Sequence, residues 1–132
     1  MIALDTNVLA RYLLADETNQ AKAARALIER AEAEFWIPLT VVLELAWVLR
    51  VKKVPSEEIA ARLRELLTLR SMRPQMSDAV FQALRWAAQG MDLADALHLA
   101  LSGKAERFAT FDEDLVKQAR KLDVQPPASA PR

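Results

Sequence analysis

Apolar segments of strand length alternating with longer segments of helical period predict an α/β protein, with a short, mainly parallel sheet covered on both faces by helices. Two further observations agree. Ala and Leu dominate while only 2 of 132 residues are glycine, a composition that favours helices. Two of the apolar segments run straight into an aspartate, Asp5 and Asp112. In parallel sheets ligands bind outside the carboxyl ends of the strands, so both acids are expected on one rim.

Met1–Leu4 reads as a first, buried strand. It ends at Asp5-Thr6-Asn7, where Thr6 or Asn7 caps a helix through Val8, Leu9, Tyr12 and Leu13. Asp16-Glu17-Thr18-Asn19 is a turn and cap for a second helix, with Ala24, Leu27, Ile28 and Ala31 on one face. Phe35-Trp36-Ile37, stopped by Pro38, is a second strand. A helix over Thr40–Arg50 follows, opening on Thr40 as its cap. Pro55-Ser56-Glu57-Glu58 is a helix start with acids well placed for the macrodipole. That helix buries Ile59, Leu63, Leu66 and Leu67 and turns Arg62, Arg64 and Glu65 outward. Met72–Gln75 is a third strand, held to an edge by Pro74. Ser77 caps a helix through Val80, Leu84 and Ala87 that Gly90 ends, and Asp92 starts another over Leu93–Leu101, ended by Gly103. Arg107–Thr110 is the fourth strand, and Phe111-Asp112-Glu113-Asp114 caps the last helix, Leu115–Lys121. Residues 1–124 read as a single domain, and 125–132, rich in Pro, Ala and Ser, as a flexible C-terminal tail.

Composition narrows the chemistry. With no cysteine and 1 histidine, disulfide frameworks, thiolate sites and His-rich zinc sites are excluded. A metal here would be held mainly by carboxylate oxygen, which suits Mg²⁺ or Mn²⁺. The formal net charge is 0, so a polyanionic partner would be held by local cationic patches. The chain reaches Asp5 too soon, and without a basic start, to read as a signal peptide. Its longest apolar run, Ile37–Leu49, is interrupted by Glu44 and too short to span a bilayer. A cytoplasmic protein with no membrane association is expected.

Glu44 poses the sharpest physical question. Its helical neighbours are Thr40, Val41, Trp47 and Val48, so it belongs to no polar stripe. An unpaired carboxylate buried there would cost on the order of several kcal/mol, so it needs a cation, a water-filled cleft or a metal. Asp95 repeats the puzzle in a Leu/Ala segment beside His98, with Asp92 three residues earlier on the same face. Carboxylates pressed together raise each other's pKa unless a cation holds them. Singly, the acids have plainer explanations: Asp5, Asp92 and Asp112 as helix caps, Glu44 as a partner of Arg50 or a lysine. Together, Asp5, Glu44, Asp95 and Asp112 come from four separate segments, which points to a shared acidic metal site.

These residues carry a family likeness. Ile2-Ala3-Leu4-Asp5-Thr6-Asn7, the lone Glu44, Asp92-Leu93-Ala94-Asp95-Ala96-Leu97-His98 and Thr110-Phe111-Asp112-Glu113-Asp114-Leu115, in this order, resemble PIN-domain ribonucleases. Length and order are most similar to the VapC-type toxins of toxin–antitoxin pairs, over the chain up to about Leu122. The resemblance implies a three-layer α/β/α sandwich and a Mg²⁺- or Mn²⁺-dependent endoribonuclease that hydrolyses RNA phosphodiester bonds with water activated by the ion. It also implies a homodimer neutralised by a cognate antitoxin protein. By motif, Asp5, Glu44, Asp95 and Asp112 would be the catalytic, metal-binding quartet. Thr6, Asn7 and Thr110 match polar positions that orient acids or water, Asp92 and Asp114 are auxiliaries, and His98 matches a packing position.

An acidic pocket repels RNA, so cations must flank it. Arg11, Arg50, Lys52 and Lys53, with Lys104 and Arg107, are the candidates for phosphate contacts. Trp36, Trp47 and Trp86 are expected in the core or an interface, and an apolar antitoxin groove is expected near Leu9 and Leu63. The alternative reading is a non-catalytic PIN-like module that binds RNA or protein. A phosphohydrolase of the haloacid-dehalogenase kind is disfavoured, because Asn7 stands where that chemistry needs a second aspartate.

Overall fold

A computed structural model describes residues 1–14, 16–30 and 32–132. Among them, five short strands and seven helices alternate: β1 (Ile2–Ala3), α1 (Thr6–Leu14), α2 (Asn19–Ile28), β2 (Phe35–Ile37), α3 (Leu39–Val51), α4 (Ser56–Leu67), β3 (Met72–Pro74), α5 (Ser77–Ala87), α6 (Leu93–Ala100), β4 (Phe108–Ala109), α7 (Glu113–Lys121) and β5 (Ala128–Ser129). The fold is α/β with a short parallel sheet, in the order β1-β2-β3. Ile2 stands opposite Phe35, and Phe35 opposite Met72. β3 is an edge strand, as Pro74 requires.

The helices form because their apolar residues recur on one face. In α4, Ile59, Ala60, Leu63, Leu66 and Leu67 are buried while Arg64 and Glu65 face solvent. Thr18 caps α2, its hydroxyl accepting from the Ala21 amide at 3.1 Å. Ala31, expected on the inner face of that helix, lies outside the described residues. The core is one cluster running from Leu4 and Leu9 through Phe35, Ile37 and Leu45 to Leu63, Leu84, Leu99 and Leu115.

Several boundaries differ from expectation for local reasons. α3 starts at Leu39 with Pro38 at its cap position, so Thr40 lies inside the first turn and caps nothing. The helix start is tied instead by Gln75, whose Oε1 accepts from the Leu39 amide at 2.9 Å. α5 is preceded by Met76 in the left-handed region (φ 52°), so Ser77 is its first residue and not its cap. Gly90 does occupy a left-handed position (φ +102°) after α5. Met1, Ile2 and Ala3 are exposed and only Leu4 is buried, because β1 is the other edge of the three-stranded sheet.

The largest correction concerns the C-terminus. Residues 125–132 are no flexible tail: β5 pairs with β4 in parallel, Phe108 opposite Ala128, and Val124, Pro126 and Ala128 are buried. The fourth predicted strand therefore pairs with the C-terminal segment and not with β1–β3. Arg107 fastens the pairing. Its guanidinium donates to Ser129 Oγ and the Ala130 carbonyl, both at 3.2 Å, and to the Arg132 carbonyl at 2.6 Å. Arg107→Ala should cost about 1 kcal/mol and speed amide exchange at Phe108 and Thr110, which donate to the Pro127 and Ser129 carbonyls. Hydrogen-exchange mass spectrometry checks this; unchanged protection over 107–110 would show that the clamp is idle.

Candidate active site

Thr6 is the one buried polar residue of the described core, and its position explains two acids at once. Its amide donates to Asp5 Oδ1 at 2.8 Å. Its hydroxyl donates to Glu44 Oε1 across from α3. A buried hydroxyl needs such a partner. Glu44 therefore has the partner its position called for, and that partner is Thr6, neither Arg50 nor a lysine. The carboxylate is also less isolated than its helical neighbours implied: Glu44, Leu43, Trp47 and Val51 all lie on an exposed face of α3. Asn7 is exposed in the first turn of α1.

The second group of acids is set by two helix starts. Asp92 caps α6, its Oδ2 accepting from the Asp95 amide at 3.2 Å, while its Oδ1 accepts from Arg50 at 3.0 Å. Asp112 caps α7, accepting from the Leu115 amide at 3.0 Å. Thr110 Oγ1 accepts from the Asp112 amide at 3.0 Å and so fixes the turn that carries it. Asp92, Asp95, Asp112 and Asp114 line a single cavity of about 560 Å³ with Arg50 and Gln118. Asp95 shows the strain of this arrangement: burial, then the charges of Asp92 and Asp112, push its pKa up, while His98 and Arg50 pull the other way.

A second cavity, about 440 Å³ and largely apolar, opens beside the first between α3, α4 and α6. Glu44 and Trp47 lie on its α3 wall, and Ile59 and Leu93 face it from α4 and α6. Arg50, Ser56, Asp92 and Ala94 are common to both cavities. The structure thus assembles the sequence-predicted acids in two linked groups, Asp5–Thr6–Glu44 and Asp92–Asp95–Asp112–Asp114. It does not close the quartet on one point: among the described residues no three acidic or imidazole side chains could hold an ion together. The donor chemistry nonetheless fits a hard divalent cation. Every candidate is an oxygen, and Mg²⁺ typically takes one or two protein carboxylates and keeps its remaining waters.

The cationic candidates divide. Arg50 stands in the wall between the cavities, paired with Asp92. Lys52 and Lys53 are exposed just beyond α3. Arg11 pairs with Asp16 at 3.1 Å, and Arg107 holds the C-terminal strand. Hydrogen bonds from the Thr18 hydroxyl and amide, with Arg11, hold the Asp16 carboxyl below its usual range. His98, assigned to packing, is exposed on α6. Leu9 and Leu63 are themselves buried, while Tyr12 and Leu13 of α1 line a cavity of about 300 Å³ with Arg62 and Leu66 of α4, and apolar side chains are also exposed along α3 at Leu43, Trp47 and Val51. Of the tryptophans, Trp86 packs against the core, while Trp36 and Trp47 are exposed. Sequence reasoning missed Gln118 and Ser56 at the site; Gln118 was findable, one helical turn after Asp114 on α7.

No curated protein matches this sequence. The family model of the PIN domain, however, matches residues 2–121, a span that contains every acid described above. The motif order, the α/β fold with its short parallel sheet and this match agree: the chain belongs to the PIN-domain family, whose members are generally nucleases.

Proposed function

We propose that the protein is a metal-dependent endoribonuclease and the toxin component of a toxin–antitoxin pair, acting in the cytoplasm. The observation that carries the nuclease reading is the cavity that gathers Asp92, Asp95, Asp112 and Asp114 beside Arg50, a set of oxygen donors suited to a hard cation. On the motif likeness we assign Asp5, Glu44, Asp95 and Asp112 to divalent-ion binding, Mg²⁺ or Mn²⁺, which requires the two groups of acids to draw together. Such an ion, when bound, supplies Lewis-acid activation of the scissile phosphate and of the attacking water.

The chain's own groups do the rest. Thr6 orients Asp5 through its amide and Glu44 through its hydroxyl. Thr110 sets the Asp112 turn. Arg50, exposed and held by Asp92 at 3.0 Å, is placed to exchange that carboxylate for a substrate phosphate, with Lys52 and Lys53 gripping further along the strand. The nucleophile is water, activated by the divalent ion when it is bound, and the chain has no cysteine thiolate to compete with it. The likeness to VapC-type toxins supports a homodimer and a cognate antitoxin as partners. No helix among the described residues is long and apolar enough to cross a membrane.

The purified protein should cut RNA in Mg²⁺ or Mn²⁺ and lose that activity in EDTA, with recovery on adding back the ion. Cleavage that persists in EDTA, or none under any divalent ion, would favour the non-catalytic binding module instead. End-mapping of cellular RNAs after induced expression, with and without a small upstream reading frame, tests the toxin role.

A further inference from the structure

We propose that the apolar cavity between α3, α4 and α6 is a nucleobase pocket that takes the base flanking the scissile phosphate, with Trp47 as its stacking platform. The inference rests on the nuclease reading and names the part of the substrate that the second cavity would hold. Four observations carry it. First, the cavity is of ligand size, about 440 Å³, and largely apolar. Second, its most prominent aromatic is left in solvent: Trp47 is 64 % exposed in mid-helix, where Val42 and Leu45 of the same helix are buried. Third, the apolar cavity adjoins the acidic one and shares the wall of Arg50, Ser56, Asp92 and Ala94. Fourth, Glu44 lines the apolar chamber while Asp95 and Asp112 line the acidic one, so assigned acids face both.

A nucleotide has the same division. Its phosphate requires cations, and its base presents two apolar faces and a polar edge. In the acidic chamber an ion and Arg50 meet the phosphate, while in the apolar chamber the indole meets the base face. The base edge then lies toward Ser56 and Thr40, whose hydroxyl-bearing side chains line the cavity. An apolar peptide side chain would fill the chamber equally well but would leave that polar wall unused. Stacking on one aromatic tolerates any base, so the pocket secures affinity, and the edge contacts bias which base is preferred.

The test uses the full-length protein, Mn²⁺ and short labelled single-stranded oligoribonucleotides, including a set with one base removed at each position in turn. Trp47→Ala and Trp47→Leu should raise KM about tenfold with little change in kcat, and flatten base preference at one position beside the cut. Trp47→Phe should recover most of the loss, because it restores an aromatic face. Removing the flanking base should weaken the wild type by a similar factor and Trp47→Ala hardly at all. If Trp47→Ala keeps the wild-type KM and preference, or Leu restores binding as well as Phe, the pocket holds no base. A changed oligomeric state with unchanged KM would assign the face to protein contact and overturn the proposal likewise. These failures leave the nuclease reading standing; a wild type that cuts no RNA removes both.

Discussion

Asp5→Asn should abolish RNA cleavage, lowering kcat by about a thousandfold or more while the fold stays intact. The substitution keeps the shape of the side chain and its carbonyl oxygen, so the 2.8 Å bond from the Thr6 amide survives. What disappears is the negative charge that would help retain a divalent cation. Loss of several kcal/mol of charge stabilisation corresponds to a factor of that order. Single-turnover cleavage with Mn²⁺, alongside circular dichroism to confirm folding, checks the outcome. Equal activity of the two proteins would show that Asp5 has no part in the reaction, or that a contaminating nuclease did the cutting.

Asp95→Asn should move activity and stability in opposite directions. Cleavage is expected to fall about a hundredfold or more, because the carboxylate shares its cavity with Asp92 and Asp112 and is one of those proposed to hold the ion. The ion-free protein, by contrast, should become more stable at neutral pH. Asp95 has its pKa raised in the fold above the ordinary value of 3.8. Relative to its charged form, protonated Asp95 therefore favours the folded state fully below that value. This contribution is lost as pH rises through the raised folded pKa. At neutral pH the residue is a charged, partly buried liability that asparagine removes. A rise in Tm of roughly 1–3 °C at pH 7, vanishing near pH 3, is expected by thermal denaturation in EDTA. Adding Mn²⁺ should narrow the gap by relieving the repulsion in the wild type alone. A variant less stable than wild type at pH 7 in EDTA would contradict the assigned cause.

What was legible in the sequence was whatever local chemistry decides. Phe35-Trp36-Ile37 is a strand because it is short, apolar and stopped by proline, and α4 follows from the spacing of Ile59, Leu63, Leu66 and Leu67. The caps of α2, α6 and α7 were readable because Thr18, Asp92 and Asp112 each accept from a backbone amide three residues on. Features settled by distant parts of the chain were not. Nothing near Gln125–Arg132 announces that Arg107 will bind its carbonyls, so a Pro-, Ala- and Ser-rich segment read as a tail. Gln75 capping Leu39 is a tertiary event of the same kind. Glu44 was misjudged for a different reason: an apolar helical neighbourhood implies burial only if every apolar face is covered, and here Leu43, Trp47 and Val51 are not. That uncovered face shaped the site as much as the acids did.

Helix α3 touches three other segments at its beginning, middle and end: Gln75 holds Leu39, Thr6 holds Glu44, and Asp92 holds Arg50. A rod moored at three places neither slides along its axis nor rolls about it without breaking one of them. Both chambers draw part of their lining from this helix, so where it sits decides how a ligand reaching into both must be shaped.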